Sequence, residues 1–135
     1  MGQLSPYLFF EGNCREAITF YKSCIKGELI IMTYEDGGVP CSEALKGKIM
    51  HAYLHKGNLT LMASDTDNES ITIGNNVQIG IGCESLSEIE SLFKSLSEKG
   101  KVDSPLQDAP WGAKFGCLTD RYGVKWLLNY ELPKK

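Results

Sequence analysis

Apolar residues recur at helical spacing in two stretches of this chain, and each stretch opens with the pattern of a capping box. Asn13 stands three residues before Glu16, and Ser85 stands three residues before Glu88. The apolar positions that follow recur every three or four residues, which is typical of one face of a helix. A glycine just past each stretch predicts where the helix ends. These glycines are Gly27 and Gly100.

Extended runs surround both predicted helices. One apolar strand precedes each helix and three follow it, with the alternation at a period of two that strands show. Gly57-Asn58 predicts a tight hairpin turn in the first half. The predicted strands are residues 7–11, 28–34, 49–56 and 59–64 in the first half, and 77–83, 101–106, 114–120 and 125–131 in the second.

The two halves are also alike in sequence. Residues 20–23 match residues 92–95 at an offset of 72, and residues 56–61 match residues 122–127 at an offset of 66. Neither half is large enough to bury an adequate core alone, so we expect a single domain over residues 1–135. Its predicted parts are a first βαβββ module at residues 1–65, a linker at 66–76 and a second βαβββ module at 77–135.

These modules predict an α+β fold in which two βαβββ units form a curled, half-open mixed sheet with the helices on its convex side. The last strand supports this layering, because Trp126, Leu128 and Tyr130 form one bulky row that can pack under a helix. Asn129 and Glu131 then face the concave side.

A pocket is predicted where side chains are missing. Gln78, Gly80 and Gly82 share one face of the strand before the second helix, and the two glycines leave volume for a ligand. We expect Gln78 and Asn129 to exchange hydrogen bonds with that ligand and Glu131 to supply one negative group.

Composition narrows the classes of partner. The net charge is −3 and the basic residues are scattered singly, which argues against nucleic acid and anionic membranes. Five cysteines without a C-x-x-C pair, and an N-terminus without a leader pattern, predict reduced thiols in the cytoplasm. No run approaches the ~20 apolar residues that span a bilayer. We therefore expect a cytoplasmic protein with a small-molecule ligand.

Five stretches of the chain together resemble the PhnB-like family. They are residues 7–17 (YLFFEGNCREA), 50–52 (MHA), 61–65 (LMASD), 108–116 (DAPWGAKFG) and 119–126 (TDRYGVKW). This family is often labelled 3-demethylubiquinone 3-methyltransferase-like and belongs to the vicinal oxygen chelate superfamily, with glyoxalase, bleomycin-resistance proteins and extradiol dioxygenases. The resemblance implies the glyoxalase/bleomycin resistance/dioxygenase fold and a homodimer, in which the modules either stay within one chain or are exchanged.

The resemblance also places the superfamily's metal site at four positions of this chain, namely Pro6, Leu61, Gln78 and Leu127. Divalent metals prefer imidazole, carboxylate or thiolate ligands, and none of these four side chains is one. We therefore expect no metal and no other cofactor, which argues against glyoxalase-type and extradiol chemistry. Methyl transfer lacks support as well, because a doubly wound sheet with a glycine-rich first turn is missing from the pattern.

His51 and Glu131 are the candidate catalytic residues. His51 is expected to face the cavity if the Gly57-Asn58 hairpin has a three-residue loop, and the helix layer if the loop has two residues. The alternative to a catalytic role is that His51, which lies within an apolar strand, is a core residue whose hydrogen bonds are satisfied inside the protein.

Asp108, Trp111 and Lys114 lie on a predicted loop whose counterpart borders the pocket in relatives, and they complete the candidate ligand-binding set. Trp111 offers a flat apolar wall with one N–H donor. The alternative is that Trp111 packs at a dimer interface or closes the barrel mouth.

Three functions follow as hypotheses. The leading one is a metal-independent protein that binds a small organic molecule in the concave cleft. The second is an enzyme of the superfamily, an isomerase, lyase or dioxygenase, or a methyltransferase as the family label states. The third is an oligomerisation module whose cleft is filled by apolar side chains, namely Leu8, Phe10, Leu61 and Leu127.

Overall fold

A computed structural model describes residues 2–38, 42–67 and 69–133. The chain divides into two compact units, with the boundary between Thr72 and Ile73. That boundary falls within residues 66–76, the stretch that the sequence pattern assigns to a linker.

Each unit holds one four-stranded mixed sheet and one α-helix. The strand order is β1-β4-β3-β2 in the first unit and β5-β8-β7-β6 in the second, and the first pair in each order is parallel. In the first unit the elements are β1 (Tyr7–Phe10), α1 (Cys14–Ile25), β2 (Glu28–Thr33), a short 3₁₀ helix (Glu43–Leu45), β3 (Ile49–Lys56) and β4 (Leu59–Asp65). In the second they are β5 (Ile79–Gly82), α2 (Leu86–Ser97), β6 (Lys101–Ala109), β7 (Ala113–Thr119) and β8 (Lys125–Glu131).

The predicted capping box is present at α2 and absent at α1. Ser85 Oγ accepts a hydrogen bond from the backbone nitrogen of Glu88 at 3.1 Å, as the pattern predicts. Asn13 makes no side-chain cap. Oδ1 of the buried Asp65 instead accepts from the nitrogens of Gly12 and Cys14 at 2.8 and 2.9 Å. A carboxylate from β4 thus replaces the local cap, at the helix end that favours negative charge.

Both helices end as expected, although the two glycines have a different role from the predicted one. The left-handed residues are Lys26, with φ 62°, and Lys99, with φ 59°. The glycine that follows each lysine is pressed against the third strand of its own sheet. A Cβ on Gly27 would lie 2.7 Å from the carbonyl oxygen of His55, and one on Gly100 would collide with the carbonyl of Thr119.

Each sheet buries the face that contacts its helix, here called the helix face, and the opposite surface is called the far face. In the first unit Leu54 and Leu61 are paired across β3 and β4 and are buried against α1. In the second unit Trp126 and Leu128 are 1% and 0% exposed, which places the predicted bulky row of β8 under α2. Side chains alternate along a strand, so the residues between these positions lie on the far faces.

Candidate functional site

Two glycines leave an open strip on the far face of the second sheet. Gly80 is paired with Leu127 and Gly82 with Asn129, so the strip runs beside these two side chains of β8. A Cβ at Gly82 would meet nothing within 4 Å, and one at Gly80 would meet only the carbonyl oxygen of Leu127 at 4.0 Å. The strip can therefore accept the atoms of a ligand without displacing protein groups.

An aromatic pair lies on the other side of β8 from this strip. The rings of Trp111 and Phe115 meet edge to face, with centroids 5.4 Å apart at an angle of 77°. Phe115 is paired with Asn129, which brings the rings and the amide to one face. Trp111 is 65% exposed on the turn between β6 and β7. Its indole therefore offers an accessible apolar wall with one hydrogen-bond donor.

The remaining polar candidates lie at the ends of the strands. Glu131 is the last residue of β8, exposed and paired with Ala113, and it follows Asn129 on the same face by alternation. Gln78 is exposed and lies just before β5, because that strand begins two residues later than the sequence pattern indicates.

Asp108 and Lys114 are placed apart from the glycine strip. The structure corrects the prediction that both residues lie on a loop, because β6 continues to Ala109 and β7 begins at Ala113. Lys114 is consequently paired with Tyr130 on the helix face, and its ammonium group lies 3.8 Å from Asp108. These two residues pair with each other across the hairpin.

The far face of the first sheet carries a polar pair that the sequence pattern did not reveal. The hydroxyl of Tyr7 lies 3.3 Å from Nδ1 of His51, within hydrogen-bonding distance, and the ring centroids are 5.9 Å apart. Phe9 lies beside Tyr7 at 5.0 Å. Apolar alternation along β1 could have placed Tyr7 and Phe9 on one face, but nothing in the linear sequence joins Tyr7 to His51.

The orientation of His51 differs from the one that the length of the hairpin loop predicts. Lys56 is paired with Leu59, so the hairpin loop has two residues, and for a loop of this length the sequence predicts that His51 faces the helix layer. His51 instead lies on the far face, because Leu61, taken as a cavity residue, is 2% exposed on the helix face. Side chains alternate along a strand, so placing Leu61 on the helix face puts every side chain of β3 on the face opposite to the predicted one.

A second ring pair lies further along β3. Tyr53 and His55 stack at 5.9 Å with an angle of 19° between their planes. Nδ1 of His55 is buried and has no hydrogen-bond partner among residues 2–38, 42–67 and 69–133. Met62 on the intervening strand is paired with both Tyr7 and Tyr53.

The donor set does not fit a divalent metal at the positions that the resemblance implies. Leu61 belongs to the core, and the far-face residues of β1 and β4 at this level are Tyr7 and Met62. The two metal-ligand positions that the resemblance implies in the second unit are Gln78 and Leu127. Within the described part of the chain no three His, Cys, Asp or Glu side chains come together as a possible metal site. None of the preferred imidazole, carboxylate or thiolate donors occupies these four positions.

The buried cysteines are poor nucleophiles. Burial raises the pKa of both Cys14 and Cys83 to about 12, with a smaller contribution from a nearby carboxylate in each case. Burial also raises the pKa of Cys117, on the far face of the second sheet. These thiols stay protonated at neutral pH, whereas the thiolate is the form that attacks.

The described residues contain no helix with the length and apolar character needed to cross a membrane.

Comparison with known proteins shows the family. Residues 2–129 match the family described as 3-demethylubiquinone-9 3-methyltransferase. The chain is 27% identical to Protein YjdN of Escherichia coli K12 over 137 aligned positions, covering 93% of each chain.

Solved structures agree with this match. Protein PA1353 from Pseudomonas aeruginosa is 38% identical with a TM-score of 0.88, over 98% of this chain and 100% of that one. A PhnB protein from Bacillus cereus is 32% identical with a TM-score of 0.77, over 96% and 99%. A glyoxalase/bleomycin resistance protein/dioxygenase from Nocardioides is 14% identical with a TM-score of 0.63, over 100% and 87%, and shows the shared fold. The predicted α+β fold class is thereby confirmed, and the chain is a member of the PhnB-like, 3-demethylubiquinone-9 3-methyltransferase family.

Proposed function

We propose that this protein binds a small, partly apolar organic molecule on the far face of its second sheet, without a divalent metal. The observation that carries the proposal is the strip at Gly80 and Gly82, where a sheet surface lacks two successive side chains. Glycine weakens a strand interior, because it has no side chain to pack and loses more entropy on folding. A strand that carries two on one face fits a surface where another molecule approaches the backbone.

The groups around the strip supply what a small-molecule site needs. Trp111 and Phe115 form an apolar wall, and the Asn129 amide offers both a donor and an acceptor beside it. Gln78 and Glu131 add polar groups at the two ends. Pockets that bind organic ligands combine apolar walls with a few placed polar groups in this way.

The proposal is binding or sequestration, with no chemical step. The family description names a methyltransferase, but the two sheets are built from βαβββ units and hold no doubly wound sheet with a glycine-rich nucleotide turn in the described residues. The thiols with raised pKa values do not supply a nucleophile. His51 and Glu131 stay the candidate acid and base of the alternative, an enzyme of the superfamily.

Two properties expected from the sequence stay predictions. The homodimer can be measured by size-exclusion chromatography with light scattering, and the cytoplasmic location by fractionation of cells that express the native protein. The third hypothesis, an oligomerisation module with a filled cleft, loses two of its four cleft residues, because Phe10 and Leu61 are buried in the helix-face core of the first unit.

Ligand-observed ¹⁹F NMR with a library of small aromatic and heteroaromatic compounds tests the proposal. We expect hits whose affinity falls about tenfold in Trp111→Ala and Asn129→Leu. Lys114→Met is the matched control on the opposite face and should bind the same hits unchanged. Hits that are equally sensitive to Lys114→Met, or insensitive to both site variants, would contradict the proposed location.

A further inference from the structure

We infer that the ligand of the second sheet carries a positive charge, and that the site takes a small organic cation of the arylalkylammonium type with its charged group beside Glu131. This inference rests on the function proposed above and names the chemical class of its ligand. The residues that carry it all belong to the second unit.

Glu131 lies at the end of β8, close to the turn that carries Trp111. The backbone nitrogen of Leu132 donates a hydrogen bond of 3.0 Å to the carbonyl oxygen of Gly112. The residues that follow Glu131 and Trp111 in the sequence are thus bonded to each other, which holds the carboxylate and the indole at the same end of the sheet. The cross-strand partner of Glu131 is Ala113, whose methyl group is too short to screen the carboxylate from the indole.

Phe115 completes the surroundings of the carboxylate. It follows Ala113 by two residues on β7, so it is the diagonal neighbour of Glu131 across the pair of strands. Residues in that relation are about 7–8 Å apart, which is within reach of aromatic and long side chains. An ammonium group can therefore contact the carboxylate of Glu131 and an aromatic ring at the same time.

The aromatic rings and the carboxylate attract the same kind of group. The face of an indole or phenyl ring carries partial negative charge, and a cation within about 6 Å of the ring centroid is attracted to it. Tryptophan is the strongest of the aromatic residues in this interaction. Trp111 is 65% exposed, so much of its ring surface is open to a ligand. A cation beside Glu131 is thus attracted by two groups, whereas an anion is repelled by both.

The protein supplies no cation to this carboxylate from the residues that the structure describes. Glu131 is exposed, and it forms no ion pair with a described lysine, arginine or histidine. Lys125 shares its face of β8, but the two positions are about 20 Å apart along an extended strand, and the Lys125 ammonium group lies 3.6 Å from Asp103. Lys114 lies on the helix face and is paired with Asp108. The charge of Glu131 is therefore left for a ligand.

The remainder of the site determines the rest of the ligand. Asn129 is paired with Gly82 on one side and with Phe115 on the other, so a ligand that reaches from the rings to the glycine strip passes over its amide. The amide oxygen can accept a hydrogen bond from an N–H of the charged group. The strip offers open space without a charged side chain. A compound with one flat apolar part and one ammonium group matches both ends.

Three fluorinated probes of nearly the same size test the inference by ¹⁹F NMR titration at neutral pH. They are 4-fluorobenzylammonium, 4-fluorobenzyl alcohol and 4-fluorobenzoate, which carry a positive charge, no charge and a negative charge. We expect the ammonium compound to bind about tenfold more tightly than the alcohol, and the benzoate to bind more weakly than the alcohol. Added salt should weaken binding of the ammonium compound and leave that of the alcohol unchanged.

Conservative variants locate the charge. Glu131→Gln keeps the length of the side chain and a hydrogen-bonding oxygen, so it should bind the ammonium compound about threefold to fivefold more weakly and the alcohol equally well. Phe115→Leu keeps an apolar side chain without a ring and should also reduce the preference for the ammonium compound. Glu90→Gln is the matched control, because it removes one negative charge from the exposed surface of α2 and should leave the preference unchanged.

Three results would overturn the inference. They are equal binding of the ammonium compound and the alcohol, a preference that persists in Glu131→Gln, and an equal loss of preference in Glu90→Gln. Gly82→Phe separates this inference from the proposed function. If the two probes bind equally and both lose affinity in Gly82→Phe, the ligand site stands and its preference for a cation fails. Ammonium binding that depends on Glu131 and is unchanged in Gly82→Phe would instead contradict the strip as the ligand site.

Discussion

The indole nitrogen of Trp126 donates a hydrogen bond of 2.7 Å to Oδ2 of Asp120, and both residues are buried. The other oxygen of that carboxylate, Oδ1, accepts from the backbone nitrogens of Tyr122 and Val124 at 2.8 and 3.1 Å. One side chain thus holds the turn between β7 and β8 and satisfies a tryptophan in the core. This places β8, with Asn129 on its far face, in a fixed register.

Replacing Asp120 should therefore be costly. We expect Asp120→Ala to lower the free energy of unfolding by about 3 kcal/mol, because three donors lose a charged acceptor and the indole N–H is left buried. Asp108→Ala is the matched control: its carboxylate is exposed and makes one ion pair at 3.8 Å, so the loss should stay below about 0.5 kcal/mol. Urea denaturation measures both, and equal losses would contradict the role assigned to Asp120.

Asp65 should stabilise the start of α1 more than Asn13, the residue that the sequence pattern predicts as its N-cap. Its carboxylate accepts from Gly12, Cys14 and Ile49, the last at 2.9 Å. We expect Asp65→Ala to cost about 3 kcal/mol or more and Asn13→Ala to cost less than about 0.5 kcal/mol. Thermal or urea unfolding of the two variants decides the point. A larger effect at Asn13 would restore the local capping box.

The close approach of Gly100 to β7 predicts a steric effect. A Cβ there would collide with the carbonyl of Thr119, and backbone cannot move away as a flexible side chain can. Gly100→Ala should therefore destabilise the protein by about 1–3 kcal/mol, the usual cost of overpacking. Gly82→Ala, with open space around it, serves as the control and should be tolerated. The same midpoint of unfolding for both variants would contradict this difference.

The rate of alkylation should be much lower for the buried Cys14 and Cys83 than for a free cysteine. With a pKa of about 12 against an ordinary 9.0, Cys14 and Cys83 carry roughly a thousandfold less thiolate at pH 8 than a free cysteine does. Iodoacetamide followed by mass spectrometry should label them only when the protein unfolds. Rapid labelling of either one in the native protein would show that its pKa is not raised.

The same pKa shift gives stability a pH dependence. The unfolded thiols lose their protons above about pH 9 while the folded ones keep theirs, so the unfolded state is favoured as pH rises from 9.0 toward 12. Stability should fall across that window, and Cys14→Ala and Cys83→Ala should each reduce the slope. Equal slopes in all three proteins, measured by urea denaturation, would contradict the assignment.

Much of the architecture is accessible from sequence because apolar periodicity is a local signal. The bounds of Ile49–Lys56 and Lys125–Glu131 are those that the pattern predicts. The buried row of Trp126 and Leu128 follows from strict alternation in β8. The capping box at Ser85 also involves residues near in sequence, so its donor and acceptor could be identified in advance.

Relationships that depend on strand register are less accessible from the sequence. The repeat aligned Leu61 with Leu127 without a gap, yet Leu61 lies on the helix face and Leu127 on the far face. The connection between β3 and β4 has two residues, 57–58, and the one between β7 and β8 has five, 120–124. An odd difference in length reverses the alternation between the aligned strands, so the length of the hairpin loop alone does not predict the face of His51. Contacts between distant strands, such as Tyr7 with His51 or Asp65 with α1, have no linear signature.

The affinity of ¹⁹F-labelled fragments for the wild type, Gly82→Ala and Gly82→Phe tests the central claim most directly. An alanine fits the open strip, whereas a phenylalanine fills the volume that the proposal reserves for the ligand. We expect fragments that bind the wild type to bind Gly82→Ala with similar affinity and Gly82→Phe at least about tenfold more weakly, with all three proteins folded. Unchanged binding to a folded Gly82→Phe would show that the strip on the second sheet is not the ligand site.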